Sequence, residues 1–365
     1  MKILILGGTG AIGKPLISIL KKFADNEVYV TSRSERPSSG NVTFLKCNAL
    51  NTDDLHAVLS RQRWDAVIDF MIYTDTTFRE RMEMLLDSTE QYFFLSSATE
   101  FAESAGSLTE RSPRLLDVTD DQQFLAVKPY PINKALCENY LRASGRRNWT
   151  IVRPYITFNS NRLQLGCYEK ENWLYRALHG GEVLFSRDIA ARHTTLTYAG
   201  DVALAISRLI GKSEALGEDF TLTTDKSLTW GEILEVYRRV LRRERGIDVG
   251  VKWTDRALNL RFFAGQWHAR YDRLFDRRFC NDKLMAICPD LTFEDTASGL
   301  DRCLTEFLQK GEFRHIPVPI HGRLAHSYVP IKNVPGWKNK FRQLAVRFMP
   351  YPLFVRVFNI IPSEK

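Results

Sequence analysis

The strongest constraint on this chain lies in its first two dozen residues. Lys2 to Leu6 is a short apolar run, the pattern of a strand buried on both faces of a parallel sheet. It feeds Gly7-Gly8-Thr9-Gly10-Ala11-Ile12-Gly13, after which apolar residues recur at helical spacing from Ala11 to Phe23. Three of the glycines have separate jobs. Gly7 permits a tight turn, Gly10 lets the backbone approach a pyrophosphate, and Gly13 allows close packing of helix on strand. A helix starting there aims unpaired N–H groups and the positive end of its dipole at the same point. Strand, loop and helix in this order predict a dinucleotide site, with Gly7, Gly10, Ala11, Ile12 and Gly13 around the phosphates.

The same rhythm continues downstream. Glu27 to Ser32, Val42 to Cys47, Trp64 to Met71, Gln91 to Ser96 and Thr150 to Arg153 read as buried strands. Asp54 to Arg61, opening after the capping residues Thr52-Asp53, and Asn133 to Ala143 read as helices between them. Alternating strands and helices imply a Rossmann-like, doubly wound parallel α/β sheet. From about Asn159 the alternation breaks down, and Ala199 to Ile210, Trp230 to Arg242 and Asp295 to Gln309 read as further helices. A chain of 365 residues exceeds what one core usually supports. We therefore expect a dinucleotide domain over 1–158 with 194–225 returning to it, a smaller, mostly helical substrate domain over 159–193 and 226–312, and a Pro-rich basic extension over 313–365.

Bulk properties exclude several classes. Six widely spaced cysteines without CxxC or Cys/His spacing point to buried thiols, not to a disulfide framework or a bound metal. The strand-like run directly after Met1 leaves no room for a charged n-region, and no uncharged run is long enough to span a membrane, so a cytoplasmic protein is expected. The net charge of +8 suits an anionic partner without choosing one.

The end of the second strand reports on the adenosine ribose. A carboxylate there selects NAD, whereas a basic residue accommodates the 2′-phosphate of NADP. This chain has Thr31-Ser32-Arg33, so Ser32 and Arg33 tilt the expectation to NADP and leave NAD open. Asn48 and Ala49, after the third strand, are placed to meet the adenine, and Phe70 to lie beside the phosphates.

Catalytic residues are suggested by Tyr130-Pro131-Ile132-Asn133-Lys134, where a helical turn brings Tyr130 and Lys134 to one face. The ammonium can stabilise a phenolate and bond the nicotinamide ribose, and such a tyrosine serves as acid or base toward a carbinol or carbonyl. Ser96-Ser97 ends the preceding strand, where a hydroxyl can bond the same oxygen. Together with the glycine loop, Thr150-Ile151-Val152-Arg153-Pro154-Tyr155, Tyr198-Ala199-Gly200-Asp201-Val202-Ala203 and Phe293-Glu294-Asp295 through Leu300, these residues resemble the extended short-chain dehydrogenase/reductases. The branch is the NAD-dependent epimerase/dehydratase family acting on nucleotide-sugars.

The resemblance implies that Tyr130 is the acid/base, Lys134 its modulator and Ser97 the second hydroxyl on the reacting oxygen. Ser97 is preferred to Ser96 because it stands four before an aromatic residue, here Phe101 where relatives usually have Tyr. In 4,6-dehydratases an Asp-Glu pair follows the catalytic Thr, but here Ser97 is followed by Ala98-Thr99, with Glu100 one position out of register. Epimerisation, with C4 the expected centre, ranks first, NADPH-dependent reduction of a keto-sugar second and dehydration below both.

A nucleotide diphosphate-sugar also needs cations and polar caps. Thr99, Asn159, Arg162 and Arg192 are candidates, as is Arg270 in the basic segment His268 to Arg278, ahead of Asn281-Asp282-Lys283 where the resemblance expects a phosphate-binding arginine. A homodimer without a metal is the expected form. Binding of nucleic acid is not expected, since no recognition motif is visible; an RNA-binding or NADP-sensing relative is the non-enzymatic alternative. In the extension, Trp337 to Met349 combines cations with aromatics, so contact with an anionic membrane stands open beside packing on the body or on a second subunit.

Overall fold

The computed structural model describes residues 1–259, 266–313, 323–324, 327–328, 331–333, 336–350 and 353. The chain divides into two compact units. The first comprises Met1–Thr157, Thr195–Lys226 and Arg278–Glu294, and the second Phe158–Thr194, Ser227–Arg277 and Asp295–Lys365.

The first unit is built on a parallel sheet of seven strands. In chain order these are β1 (Lys2–Leu6), β2 (Glu27–Ser32), β3 (Val42–Lys46), β4 (Trp64–Asp69), β5 (Thr89–Leu95), β6 (Trp149–Arg153) and β7 (Glu218–Thr221). Their spatial order is β3-β2-β1-β4-β5-β6-β7, every pairing parallel. The order reverses at β1, and ligands of such sheets bind in the crevice this leaves beyond the carboxyl ends of the strands.

Helices cover both faces, which is why β1 reads as unbroken apolar sequence. Ile3 and Ile5 pack with α1 (Gly13–Leu20) and the helix Ala199–Leu209, through Leu16, Leu20, Val202 and Ile206. Leu4 and Leu6 pack on the opposite face with α2 (Thr52–Leu59) and α3 (Tyr130–Ala143), through Leu55, Val58, Cys137 and Leu141. A period-two strand sends alternate side chains to opposite faces, so apolar cover on both faces demands apolar residues throughout.

Local signals were right in kind and shifted in detail. α2 is capped by Asn51, whose side chain accepts from the Asp54 N–H at 2.9 Å, one residue ahead of the expected Thr52-Asp53. Residues 278–294, expected with the substrate domain, join the first unit. There Leu284, Cys288 and Leu291 enter the core beside Ile206 and Phe220, and Asn281 donates to the Thr223 carbonyl at 2.9 Å.

The second unit holds the helices Lys170–Leu178, Trp230–Arg245 and Thr296–Lys310 and a parallel strand pair, Val183–Ser186 with Val251–Thr254. Helix Trp230–Arg245 opens on a capping box between Thr229 and Glu232 and closes on Gly246 at φ 64°. Trp173 and Tyr237 stack at 4.5 Å in its core, so Trp173 is packing and not a platform for a base. Much of the C-terminal extension lies outside the described residues, but its basic stretch forms the helix Trp337–Phe348.

Candidate active site

The glycine loop has the shape a pyrophosphate requires. Gly7 sits at φ +70°, a left-handed conformation that disfavours side chains, and its N–H donates to Thr31 Oγ1 at 3.0 Å, tying the loop to the end of β2. A Cβ at Gly13 would stand 2.3 Å from the Gly8 carbonyl oxygen, so only glycine lets α1 approach the loop. A Cβ at Gly10 would meet nothing within 4 Å among the described residues, which leaves the backbone open where a phosphate would approach. The first turn of α1 carries no acidic residue, and no side chain among the described residues caps it at Ile12. Ala11 is half-buried and Ile12 buried. Phe70, beyond β4, lies against the loop, its Cβ 3.7 Å from where a Gly7 side chain would begin. These features fit a dinucleotide.

At the end of β2, Ser32 is buried while Arg33 is exposed. The cation the structure brings to the Ser32 hydroxyl is Arg36, whose Nε donates to Oγ at 3.1 Å. Arg36 escaped the sequence reading because nothing in a loop fixes which of two nearby arginines turns back. Asn48 is built into the turn that leads to α2. Its N–H donates to Asp54 Oδ2 at 3.1 Å and its Oδ1 accepts from Leu50 N at 3.4 Å, with Ala49 buried beside it.

The chain between β5 and α3 carries the reactive groups. Ser97 Oγ lies 2.9 Å from Thr99 Oγ1 and accepts from the Thr99 N–H at 3.3 Å, which caps the short turn Ala98–Glu100. The Ser96 hydroxyl is buried with no hydrogen-bond partner among the described residues. Tyr130 is the first residue of α3 and 42% exposed, whereas Lys134, one turn on, is 2% exposed. Lys134 Nζ donates to the Leu95 carbonyl at 2.6 Å, 4.6 Å from the Phe94 ring centre and 5.7 Å from that of Tyr130. One ammonium thereby bonds the end of β5, from which Ser97 hangs, and lies over the Tyr130 ring. Lys128, two residues ahead of Tyr130, holds a left-handed φ of 46°, which costs a non-glycine residue about 1–2 kcal/mol. Its ion pair with Asp75 at 2.7 Å helps to hold the sharp entry into α3.

Behind this turn lies a buried charge cluster that the sequence did not announce. Arg153 on β6 places Nε 2.6 Å from Glu100 Oε1 and donates to Glu138 Oε1 at 2.8 Å, while its Nη1 donates to Asp219 Oδ2 at 2.6 Å. Glu100, Glu138 and Arg153 are all essentially inaccessible. Burial, reinforced by the neighbouring Glu138, pushes the Glu100 carboxyl well above the usual range. Asp219 is also raised by burial, but Arg153, Arg142 and Lys283 outweigh that and hold it below its ordinary value. Asp69, at the end of β4, accepts from Tyr73 and Tyr92 hydroxyls at 2.9 and 2.8 Å and is pushed up by burial.

The remaining candidates lie in the second unit. Asn159 and Arg162 close a tight turn on each other, N–H to carbonyl, at 3.1 and 2.9 Å, and Arg162 Nε stands 4.0 Å from Glu169. Arg192 is half-buried, and its carbonyl accepts from Trp230 N at 3.1 Å. Arg270 is exposed, 5.9 Å from the Trp267 ring centre. The buried members of that basic segment are instead Arg273 and Arg277, both paired with Asp272, the latter at 3.0 Å from Nε to Oδ1. Arg273 also donates to the Gly166 carbonyl at 3.0 Å. His268 lies 3.6 Å from Asp272, yet the charge of Arg273, with burial, holds its pKa well below the usual value. Among the described residues, no cluster of His, Cys, Asp or Glu could hold a metal ion.

An open glycine cradle at the switch point of a parallel sheet, with Ser97, Tyr130 and Lys134 near one end of that sheet, defines a dinucleotide-binding protein of the Rossmann type. The chain belongs to the NAD dependent epimerase/dehydratase family, whose model matches residues 3–222. Solved structures share the fold. UDP-N-acetylglucosamine 4-epimerase from Methanobrevibacter ruminantium, in complex with UDP-N-acetylmuramic acid, superposes with a TM-score of 0.65 at 17% identity, over 84% of this chain and 98% of that one. UDP-glucose 4-epimerase from Thermus thermophilus, in complex with NAD, gives 0.62 at 17% identity, over 84% and 99%. The chloroplast stem-loop binding protein of 41 kDa b from Arabidopsis thaliana is 25% identical over 249 residues, 63% of this chain and 60% of that relative's length.

Proposed function

We propose that the protein exchanges hydride at a carbinol carbon of a nucleotide diphosphate-sugar, as an epimerase acting at C4. The observation that carries this reading is the single ammonium, Lys134, which bonds the strand end from which Ser97 hangs and lies 5.7 Å from the Tyr130 ring centre. The loop residues Gly7, Gly10, Ala11, Ile12 and Gly13 hold the cofactor's phosphates with Phe70 beside them, Ser32, Arg33 and Arg36 face its ribose, Asn48 and Ala49 its adenine, and Lys134 its nicotinamide ribose. A bound nicotinamide supplies the hydride acceptor and donor. Tyr130 Oη takes the proton from the sugar hydroxyl as the carbon is oxidised and returns it on reduction, while Ser97 Oγ and Thr99 Oγ1 steady the same oxygen. Asn159, Arg162, Arg192 and the Arg270 segment serve the nucleotide and diphosphate.

Elimination is disfavoured because Glu100, the nearest carboxyl after Ser97, is buried and gripped by Arg153. The Arg36–Ser32 contact favours NADP and, with it, net reduction of a keto-sugar as the second reading. Mass spectrometry of ligand released on denaturation, followed by NMR of UDP- and dTDP-sugars incubated with the protein, decides between them. Tightly held oxidised cofactor and a C4 epimer are expected. Exchangeable NADPH with net reduction would select the reductase, and no conversion of any sugar would remove both. The stem-loop named for the Arabidopsis relative motivates one control. Stem-loop RNA affinity that falls steeply with salt would favour that binding role instead.

A further inference from the structure

The helix Trp337–Phe348 takes no part in the chemistry above, and its surface is sharply two-sided. At about 100° per residue, Trp337, Phe341, Leu344 and Phe348 fall within an arc of about 60°. All four face solvent, at 75%, 68%, 53% and 74% exposure. The helix contains Lys338, Lys340, Arg342 and Arg347 and no acidic residue. On the same spacing Lys338 flanks one side of the apolar stripe and Lys340 and Arg347 the other. Lys338 Nζ lies 5.8 Å from the Trp337 ring centre and the Arg347 guanidinium 5.3 Å from that of Phe348.

The helix is tied to its own unit through a different side. Ile331 is buried with Tyr175 and Phe313, Asn333 N–H donates to the His179 carbonyl at 3.0 Å, and Gln343 Nε2 donates to the Ile331 carbonyl at 2.9 Å. Gln343 points about 120° away from the stripe. The contact with its own unit seen among the described residues is therefore polar, and it lies away from the aromatic stripe.

We propose that this face docks in the plane of an anionic phospholipid surface. Aromatic and leucine side chains enter the boundary between headgroup and acyl chain, while flanking lysines and arginines reach the phosphates, their stems lying along apolar surface. Charge decides against a second copy of this chain, because a two-fold-related helix would set these cations against each other. Nucleic acid would satisfy the cations and leave the four-residue stripe in water. At twelve residues the helix is about 18 Å long and lies on a bilayer without crossing it.

Co-sedimentation of the full chain with phosphatidylglycerol-containing vesicles, against pure phosphatidylcholine vesicles, tests this. Binding to the first and little to the second is expected, weakening as salt rises. A Phe341→Ser/Phe348→Ser variant and a Lys338→Glu/Arg347→Glu variant should each lose about tenfold or more in partitioning, with unchanged thermal midpoints because every altered side chain is exposed. Absence of binding, equal binding to both vesicle types, or unaltered partitioning of either variant would overturn the proposal. So would a concentration-dependent dimer that both variants abolish.

Discussion

The two units each bury an ion cluster, and the two are built in opposite senses. In the first, one fully buried guanidinium, Arg153, stands among three carboxyl groups, Glu100, Glu138 and Asp219, with Arg114, Arg142 and Lys283 reaching Glu138 and Asp219 from less buried positions. In the second, one carboxylate, Asp272, stands between two guanidiniums, Arg273 and Arg277, with His268 at its edge. The acid-rich cluster favours a neutral Glu100, and the base-rich cluster favours a neutral His268. At Glu100 burial does this, reinforced by Glu138, whereas at His268 the charge of Arg273 leads and burial adds to it. The first cluster lies behind the turn of Ser97 and Thr99, where it joins four segments of chain.

The largest expected effect comes from taking the buried guanidinium out of the first cluster. Arg153→Met takes the ion-pair partner from the buried Glu100, leaves Glu138 and Asp219 only their less buried cations, and should cost about 3–5 kcal/mol in denaturant unfolding, as removal of one partner of a buried pair does. A loss below about 1 kcal/mol would mean that the cluster does not brace the fold.

The two clusters should also open separate acid limbs in stability. His268 has a folded pKa below its unfolded value, so its contribution is present above about pH 6.5 and is lost as pH falls from there, at no more than about 1.4 kcal/mol per pH unit. Asp219 likewise has a depressed folded pKa, so its contribution is present above about pH 4 and is lost only as pH falls below that. Thermal midpoints followed against pH should show both limbs. His268→Gln should remove the upper one and Asp219→Asn the lower, and a swap of these assignments would break the comparison.

The smallest effect concerns a contact at the surface. Arg36→Ala should weaken NADP binding about tenfold relative to NAD, the scale of one exposed charge-assisted contact, read by fluorescence titration with both cofactors. An unchanged ratio would return the 2′-phosphate to Arg33 or to neither.

These contrasts also mark what the sequence could reveal. β1 was legible because both of its faces are covered and apolar pattern alone reports that. The proximity of Tyr130 to Lys134 was legible because a helix fixes it within one turn. Glu100, Glu138, Arg153 and Asp219 come from four separate segments, and no local period records which acid will meet which base. The same holds for Asp272 and Arg273, which lie in a locally basic segment whose sequence does not say which members burial will separate from Arg270. Arg36 and the Asn51 cap failed for a smaller reason, since a loop leaves several neighbours equally able to supply one hydrogen bond.

The proposed division of labour gives the proton to Tyr130 and the cofactor to the glycine cradle, two jobs on separate elements of the first unit. Tyr130→Phe, assayed for sugar conversion and for dinucleotide affinity on the same preparation, tests it most directly. Turnover should fall by about 10²–10⁴ with affinity unchanged within about twofold. Retained turnover would contradict the account.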